Sequence, residues 1–134
     1  MSQFVKVILA FVSAIFLFSA CANKSDTSLY GKEFQLINSP DNAEITIGFL
    51  GDTPRFAGKA PINRYFGLYT LNGNDIKFYQ VGTTMMMGPE NLMQAETEYL
   101  QDLGTVESFK LEGKKLLLMG SKTLEFKEIG KIKE

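Results

Sequence analysis

From residue 29 onward most of the chain alternates apolar and polar residues with period two, and helical spacing replaces this alternation convincingly only between Thr83 and Gly104. Within that stretch Leu92, Ala95, Tyr99 and Leu103 recur three or four residues apart. Met93 and Leu100 widen the stripe, while Gln94, Thr97, Glu98, Gln101 and Asp102 fall on the opposite side. The ends are marked as well: Pro89 has the fixed φ of a first helical residue, Glu90 puts negative charge at the positive end of the dipole, and Gly104 suits a left-handed stop. The pattern predicts one helix, about 89–103, with one buried face and one wet face.

Period two predicts strands on both sides of it. Before the helix these are Glu33–Ile37, Glu44–Leu50, Arg55–Lys59, Phe66–Leu71 and Asp75–Val81. Gly51-Asp52-Thr53-Pro54 supplies one turn, and Asn72-Gly73 is expected at the centre of a tight hairpin because both residues tolerate positive φ. After the helix, Val106–Leu111, Lys115–Met119 and Thr123–Lys127 read as a meander, and Lys131–Glu134 as a frayed end. Leu116 to Met119 is apolar at four consecutive positions, which predicts cover on both faces of that strand. The expected fold is therefore α+β and mostly β: a strongly bent antiparallel sheet or partly open barrel of about eight strands, with the helix inserted before the last three. A closed barrel would leave no strand edges, but alternation alone does not establish closure.

The first 28 residues follow a different grammar. Phe4 to Ala20 is an apolar run behind a short start carrying Lys6, as in a signal sequence of residues 1–20. Leu17-Phe18-Ser19-Ala20-Cys21 resembles a bacterial lipobox, with Phe18 where leucine is usual, and this makes Cys21 the expected lipidation site. An uncleaved membrane anchor is the other reading, although the run is a little short of the roughly 20 residues a span needs. Residues 21–28 are polar and aperiodic, as in a flexible tether, and residues 29–134 make the domain. Ala22 follows the cysteine in place of a retention aspartate. The expected location is the bacterial cell envelope, on the outer membrane facing the periplasm if the host has two membranes.

Composition narrows the chemistry. The 134 residues are enough for one domain with its own core, and they contain no histidine, which excludes Ser-His-Asp and Cys-His catalysis and imidazole-ligated zinc. A single cysteine excludes an intramolecular disulfide. The formal net charge is −1, and loss of the first twenty residues removes only Lys6. No basic patch suggests nucleic acid. Enzymatic activity and cofactors are not expected.

Two stretches resemble the signatures of the META domain family, that of the heat-shock lipoprotein HslJ. Gly58-Lys59-Ala60-Pro61-Ile62-Asn63-Arg64-Tyr65-Phe66-Gly67-Leu68-Tyr69 is similar to its Gly…Asn-Arg-Tyr-x-Gly-x-Tyr motif. Thr84-Met85-Met86-Met87-Gly88-Pro89 with Glu90 to Glu98 is similar to its second motif, and Leu116-Leu117-Leu118 with Leu124-Glu125-Phe126 to its close. The resemblance spans roughly residues 30–129. It implies an envelope protein, often a lipoprotein, associated with stress tolerance or antibiotic response and without an established catalytic activity. Some members carry cysteine where this chain has Ile62 and Gly88, so a thiol role does not transfer. By fold-level analogy alone, the domain also looks like secretion pilot lipoproteins that enclose an acyl chain.

Asn63, Arg64 and Tyr65 are the candidate binding residues. Asn63 tolerates a left-handed turn, and Arg64 offers a planar donor fork for a carboxylate or phosphate. The plainer account has Asn63 shaping a loop, Arg64 pairing with a nearby acid, and Tyr65, Phe66 and Tyr69 packing the barrel. Met85-Met86-Met87 with Met93 would suit Cu(I), against gap filling on opposite faces of a strand. Glu96 and Glu98 point apart on a helix, which argues against a glycosidase pair, and Lys114-Lys115 reads as a solvated turn able to touch anionic headgroups. The sequence thus favours a membrane-tethered binding domain whose partner is an envelope protein. A carrier of lipid or another small apolar ligand, with Phe49, Phe66, Phe78, Phe109 and Phe126 lining the interior, is the alternative, and a hydrolase using Arg64 or carboxylates in a cleft is a third.

Overall fold

The computed structural model describes residues 29–132 apart from Asp52. Eight strands are formed: β1 Lys32–Leu36, β2 Thr46–Phe49, β3 Arg55–Lys59, β4 Arg64–Asn72, β5 Asp75–Thr83, β6 Ser108–Glu112, β7 Lys115–Met119 and β8 Thr123–Lys131. The helix α1, Glu90–Gly104, separates β5 from β6, and a single 3-10 turn, Pro40–Asn42, lies between β1 and β2. Each strand pairs antiparallel with the next and β8 returns to β1, so the sheet is a closed barrel. Of the two architectures the alternation allowed, the more closed one forms, and no outer strand is left at an end of the sheet.

The seams differ in a way that connectivity explains. Where tight hairpins join the strands, registers run long, as between β4 and β5 from Tyr65↔Thr83 to Asn72↔Asp75. Gly73, at the first central position of that turn, is the only one of its residues with positive φ (61°), so the centre is Gly73-Asn74 rather than Asn72-Gly73. Gly113 (φ 62°) plays the same part between β6 and β7. β5 and β6 are joined through α1 instead, and their register is the single pair Asp75↔Ser108, flanked by Ile76 N donating to Glu107 O (3.0 Å) and Phe109 N donating to Asn74 O (2.9 Å).

The inward side chains fill the barrel with one another. Phe49 stands edge-on to Tyr69 (centroids 5.2 Å apart, 88°), and Phe56 edge-on to Phe78 (5.0 Å, 83°). Phe34, Leu116 and Phe126 close the remaining space at 0% exposure. α1 lies across the end of the barrel that carries the β1–β2, β3–β4 and β7–β8 connections, and it sends Tyr99 and Leu103 into the same core. It does not cover β7. Leu116 and Leu118 point inward and are buried, while Leu117 and Met119 are half-buried outside, where Leu117 is flanked by Lys110 and Glu125.

Three local expectations are corrected. Gly104 belongs to the helix without positive φ, and the stop is made by Thr105, whose N–H (3.1 Å) and Oγ1 (2.7 Å) both donate to the Asp102 carbonyl. Pro89 precedes the helix as its cap rather than opening it. Lys131 and Ile132 are not frayed: Lys131 pairs with Lys32, and the Ile132 side chain packs over Gly48, where a β-carbon would displace it. Lys133 and Glu134 lie outside the described residues.

Two glycine substitutions separate packing from backbone freedom. A β-carbon at Gly58 would collide with the Thr46 carbonyl and reach 2.9 Å from the Tyr65 ring. Gly58→Ala is therefore expected to lower urea-unfolding stability by about 1–3 kcal/mol. At Gly104 a β-carbon meets nothing within 4 Å, and the helical backbone suits alanine, so Gly104→Ala is expected to raise stability by about 0.5–1 kcal/mol. Equal effects of the two would contradict the packing described.

Candidate functional site

At the tip between β3 and β4 the chain turns through Pro61 and Ile62, and Ala60 N donates to Asn63 O (2.8 Å) to close the turn. This aims Asn63 inward, and its side chain joins two other segments. Its Oδ1 accepts from Met86 N (2.6 Å) and Thr84 Oγ1 (2.9 Å), while its Nδ2 donates to Glu96 Oε2 (2.8 Å) and Met86 O (3.2 Å). The Asn63 and Ile62 amides also donate to Glu96 Oε1, at 2.7 and 3.0 Å. One asparagine thus links the β3–β4 turn, the segment after β5, and α1.

Glu96 is 9% exposed. Burial pushes its carboxyl up, but the Asn63 side chain and then the Asn63 and Ile62 amides outweigh burial, and the pKa lies below the ordinary 4.5. With these three donors already engaged, Glu96 is a clamp rather than a general base. The helical pattern left Glu96 unassigned between the faces, although it sits four residues after Leu92, three before Tyr99 and seven before Leu103. A carboxylate in the middle of an apolar stripe was the available signal, since a buried charge needs partners.

The other sequence candidates are dispersed. Tyr65 points inward: its hydroxyl donates to Thr46 O (2.6 Å) and lies 2.6 Å from the Tyr99 hydroxyl, which is therefore the donor of that second bond. Burial, reinforced by Tyr99, pushes the Tyr65 phenol well up. Burial also raises Tyr99, partly offset by its bond to Tyr65, so both stay protonated. Arg64 faces outward from the start of β4 and makes no ion pair among the described residues, so the expected acidic neighbour is not found. Its backbone is fixed by Thr84, with Arg64 N donating to Thr84 Oγ1 (3.1 Å) and Thr84 N donating to Arg64 O (3.0 Å).

Met85, Met86 and Met87 lie beyond the end of β5 and fill no gap: they are 90%, 56% and 83% exposed. Met86 is nevertheless pinned through its backbone by Asn63, so the exposed thioethers project from a fixed segment. Phe66, 50% exposed, lies on the outer wall and folds over Gly82. It does not line the interior with Phe49, Phe78, Phe109 and Phe126. Ile62 and Gly88, where some family members carry cysteine, lie against each other, with the Ile62 Cδ1 placed 2.7 Å from where a Gly88 β-carbon would stand. Glu98 is exposed on the helix and Lys114-Lys115 at the β6–β7 turn. Cys21, the signal segment and the tether lie outside the described residues.

Residues 26–130 match the family model of the META domain. No curated protein is a significant match. Among solved structures, the NMR structure of a protein from Burkholderia xenovorans superposes with a TM-score of 0.63 at 21% identity, covering 76% of this chain and 84% of that one. A second protein solved by NMR gives 0.59 at 22% identity, covering 75% and 91%. At these identities the likeness is one of fold.

The Glu96 clamp has a pH signature. Because its folded pKa is depressed, its contribution to stability is complete above the unfolded value of 4.5 and is lost as pH falls through the folded pKa. Glu96→Gln keeps the shape but sets an amide N–H₂ against the Asn63 donors, and is expected to cost about 1–3 kcal/mol at neutral pH. It should also remove part of the acid-side loss in urea-midpoint profiles. A double-mutant cycle with Asn63→Ala should give coupling above about 1 kcal/mol, and additive losses would break the proposed link.

Proposed function

The chain belongs to the META domain family, and from that premise we propose that it works as a membrane-tethered, non-catalytic binding domain of the bacterial envelope, linked to stress or antibiotic response. The observation that carries this reading is a contrast between inside and outside. The interior is occupied by the protein's own rings in edge-to-face contact, whereas Met85–Met87 are displayed on a segment that the Asn63 hydrogen bonds hold in place. Flexible thioethers on a fixed backbone adapt to a partner surface without the cost of ordering a loop. The carrier reading loses its motive by the same contrast, because four of its five lining phenylalanines pack against the core and Phe66 faces out.

Tethering rests on Cys21. Acyl chains contribute about 0.8 kcal/mol per buried methylene, so a multiply acylated Cys21 holds the domain on its membrane. Cys21→Ser is expected to abolish incorporation of labelled palmitate and to move the protein out of the membrane fraction. Retention in the membrane would instead indicate an uncleaved anchor.

The binding role is tested by placing a photo-crosslinking residue at Met87 and, as a control on the outer wall, at Lys77. Discrete protein adducts from position 87 and none from 77 are expected. Native mass spectrometry of the chain from Ala22 should give the bare mass. A stoichiometric added mass released by organic solvent, with no adducts at 87, would replace the binding reading with the carrier.

A further inference from the structure

We propose that the cleft between α1 and the neighbouring rim of the barrel is a binding site for a small amphiphilic cation, an apolar body bearing one protonated amine or guanidinium. This rests on the binding-domain reading and gives that domain a ligand chemistry. The cleft has a volume of about 450 Å³, within the usual range of small-molecule sites. Its accessible apolar surface comes from the half-buried Leu36, Ile37 and Leu124 and from Pro40, with the buried Ile45, Ala95 and Tyr99 behind them. The wall formed by Ile37, Asn38 and Pro40 is preset. Asn38, Asp41 and Asn42 hold positive φ, a conformation their short polar side chains tolerate, and Ala43 N donates to Pro40 O (3.0 Å) while Ser39 Oγ donates to Ala43 O.

Charge selects the ligand. Glu98, Asp102 and Glu125 line the cleft against Lys122 alone, an excess of two negative charges. Asp102 already faces Lys122 (3.7 Å) and Glu125 faces Lys115 (3.7 Å), whereas Glu98 receives only a hydrogen bond from Gln94 Nε2 (3.3 Å) and is in no ion pair among the described residues. Among those residues no three His, Cys, Asp or Glu side chains are grouped to hold a metal ion, so the acids are too dispersed for a bare cation. An organic cation meets both halves of the site: its body covers the apolar floor and its charged head reaches Glu98. An anionic amphiphile of the same length gains the floor and is repelled by the carboxylates.

The test uses the chain from Ala22 onward, which retains the complete closed barrel, helix and core, with n-octylammonium and n-octanoate below their micelle concentrations. Backbone amide shifts on adding octylammonium are expected at Leu36, Ala95 and Leu124, with octanoate at least about tenfold weaker by titration calorimetry. Glu98→Gln, an exposed change that leaves the thermal midpoint in place, is expected to weaken octylammonium about twofold to fivefold and octanoate not at all. Equal binding of the two amphiphiles, shifts confined to another surface, or indifference to Glu98→Gln would each overturn the proposal. Loss of the cleft site with crosslinking at position 87 preserved would leave the broader binding role intact, so the two failures are distinguishable.

Discussion

A carboxylate at the centre of the helix's inner stripe would be costly to bury without donors, and satisfying it constrains three separate parts of the chain at once. For Glu96 to sit against the barrel, the β3–β4 turn must present the Ile62 and Asn63 amides to one oxygen and the Asn63 side chain to the other. That requirement fixes where α1 crosses the barrel end. The remaining atoms of the same asparagine are then committed to Met86 and Thr84, so the segment after β5 is set by the same arrangement. The Tyr65 and Tyr99 hydroxyls, one from the barrel wall and one from the helix, continue the connection into the interior as far as the Thr46 carbonyl.

The barrel interior and the barrel rim serve different purposes because of this arrangement. Inside, aromatic rings meet edge to face and leave the stability of the fold to packing. At the rim, the helix spans the end without filling the space beside β1 and β8, and a cleft remains, lined on the helix by Ala95, Glu98, Tyr99 and Asp102. The chain's available chemistry is therefore carried on the outside: methionines held by a hydrogen-bonded backbone on one side of the helix, and carboxylates over an apolar floor on the other. The weakly paired β5–β6 seam is the local consequence of connecting two strands through a helix, which sets no tight register between them.

The candidate site was only partly legible in the sequence. Asn63 stood out as a turn residue, yet nothing local announced that its amide would bind a glutamate 33 positions away. Beside Glu98 in the sequence, Glu96 reads as half of an acidic pair pointing apart, a criterion of catalysis that is silent about burial. Arg64 was expected to find an acid and faces solvent instead, since strand alternation turns it outward while it turns Asn63 and Tyr65 inward. Period two places the methionines on a strand as gap fillers, but the strand ends at Thr83, before they begin.

What the sequence determined by itself is what depends on near neighbours: the eight strands from period two, the helix from its apolar stripe to within a residue at each end, and a tight hairpin at Gly73 to within one position. These follow from backbone sterics and from the faces that side chains must hide. The residues of the two META motifs were likewise legible as they stood, and they pointed to the family. Tertiary structure decided the rest. Closure of the barrel depends on β8 meeting β1, nearly a hundred residues earlier in the chain, and the fate of Leu117 depends on the helix lying over an end rather than a wall. The Glu96 clamp and the cleft beside Ala95 exist only where segments distant in sequence come together, so no local pattern could have encoded their position.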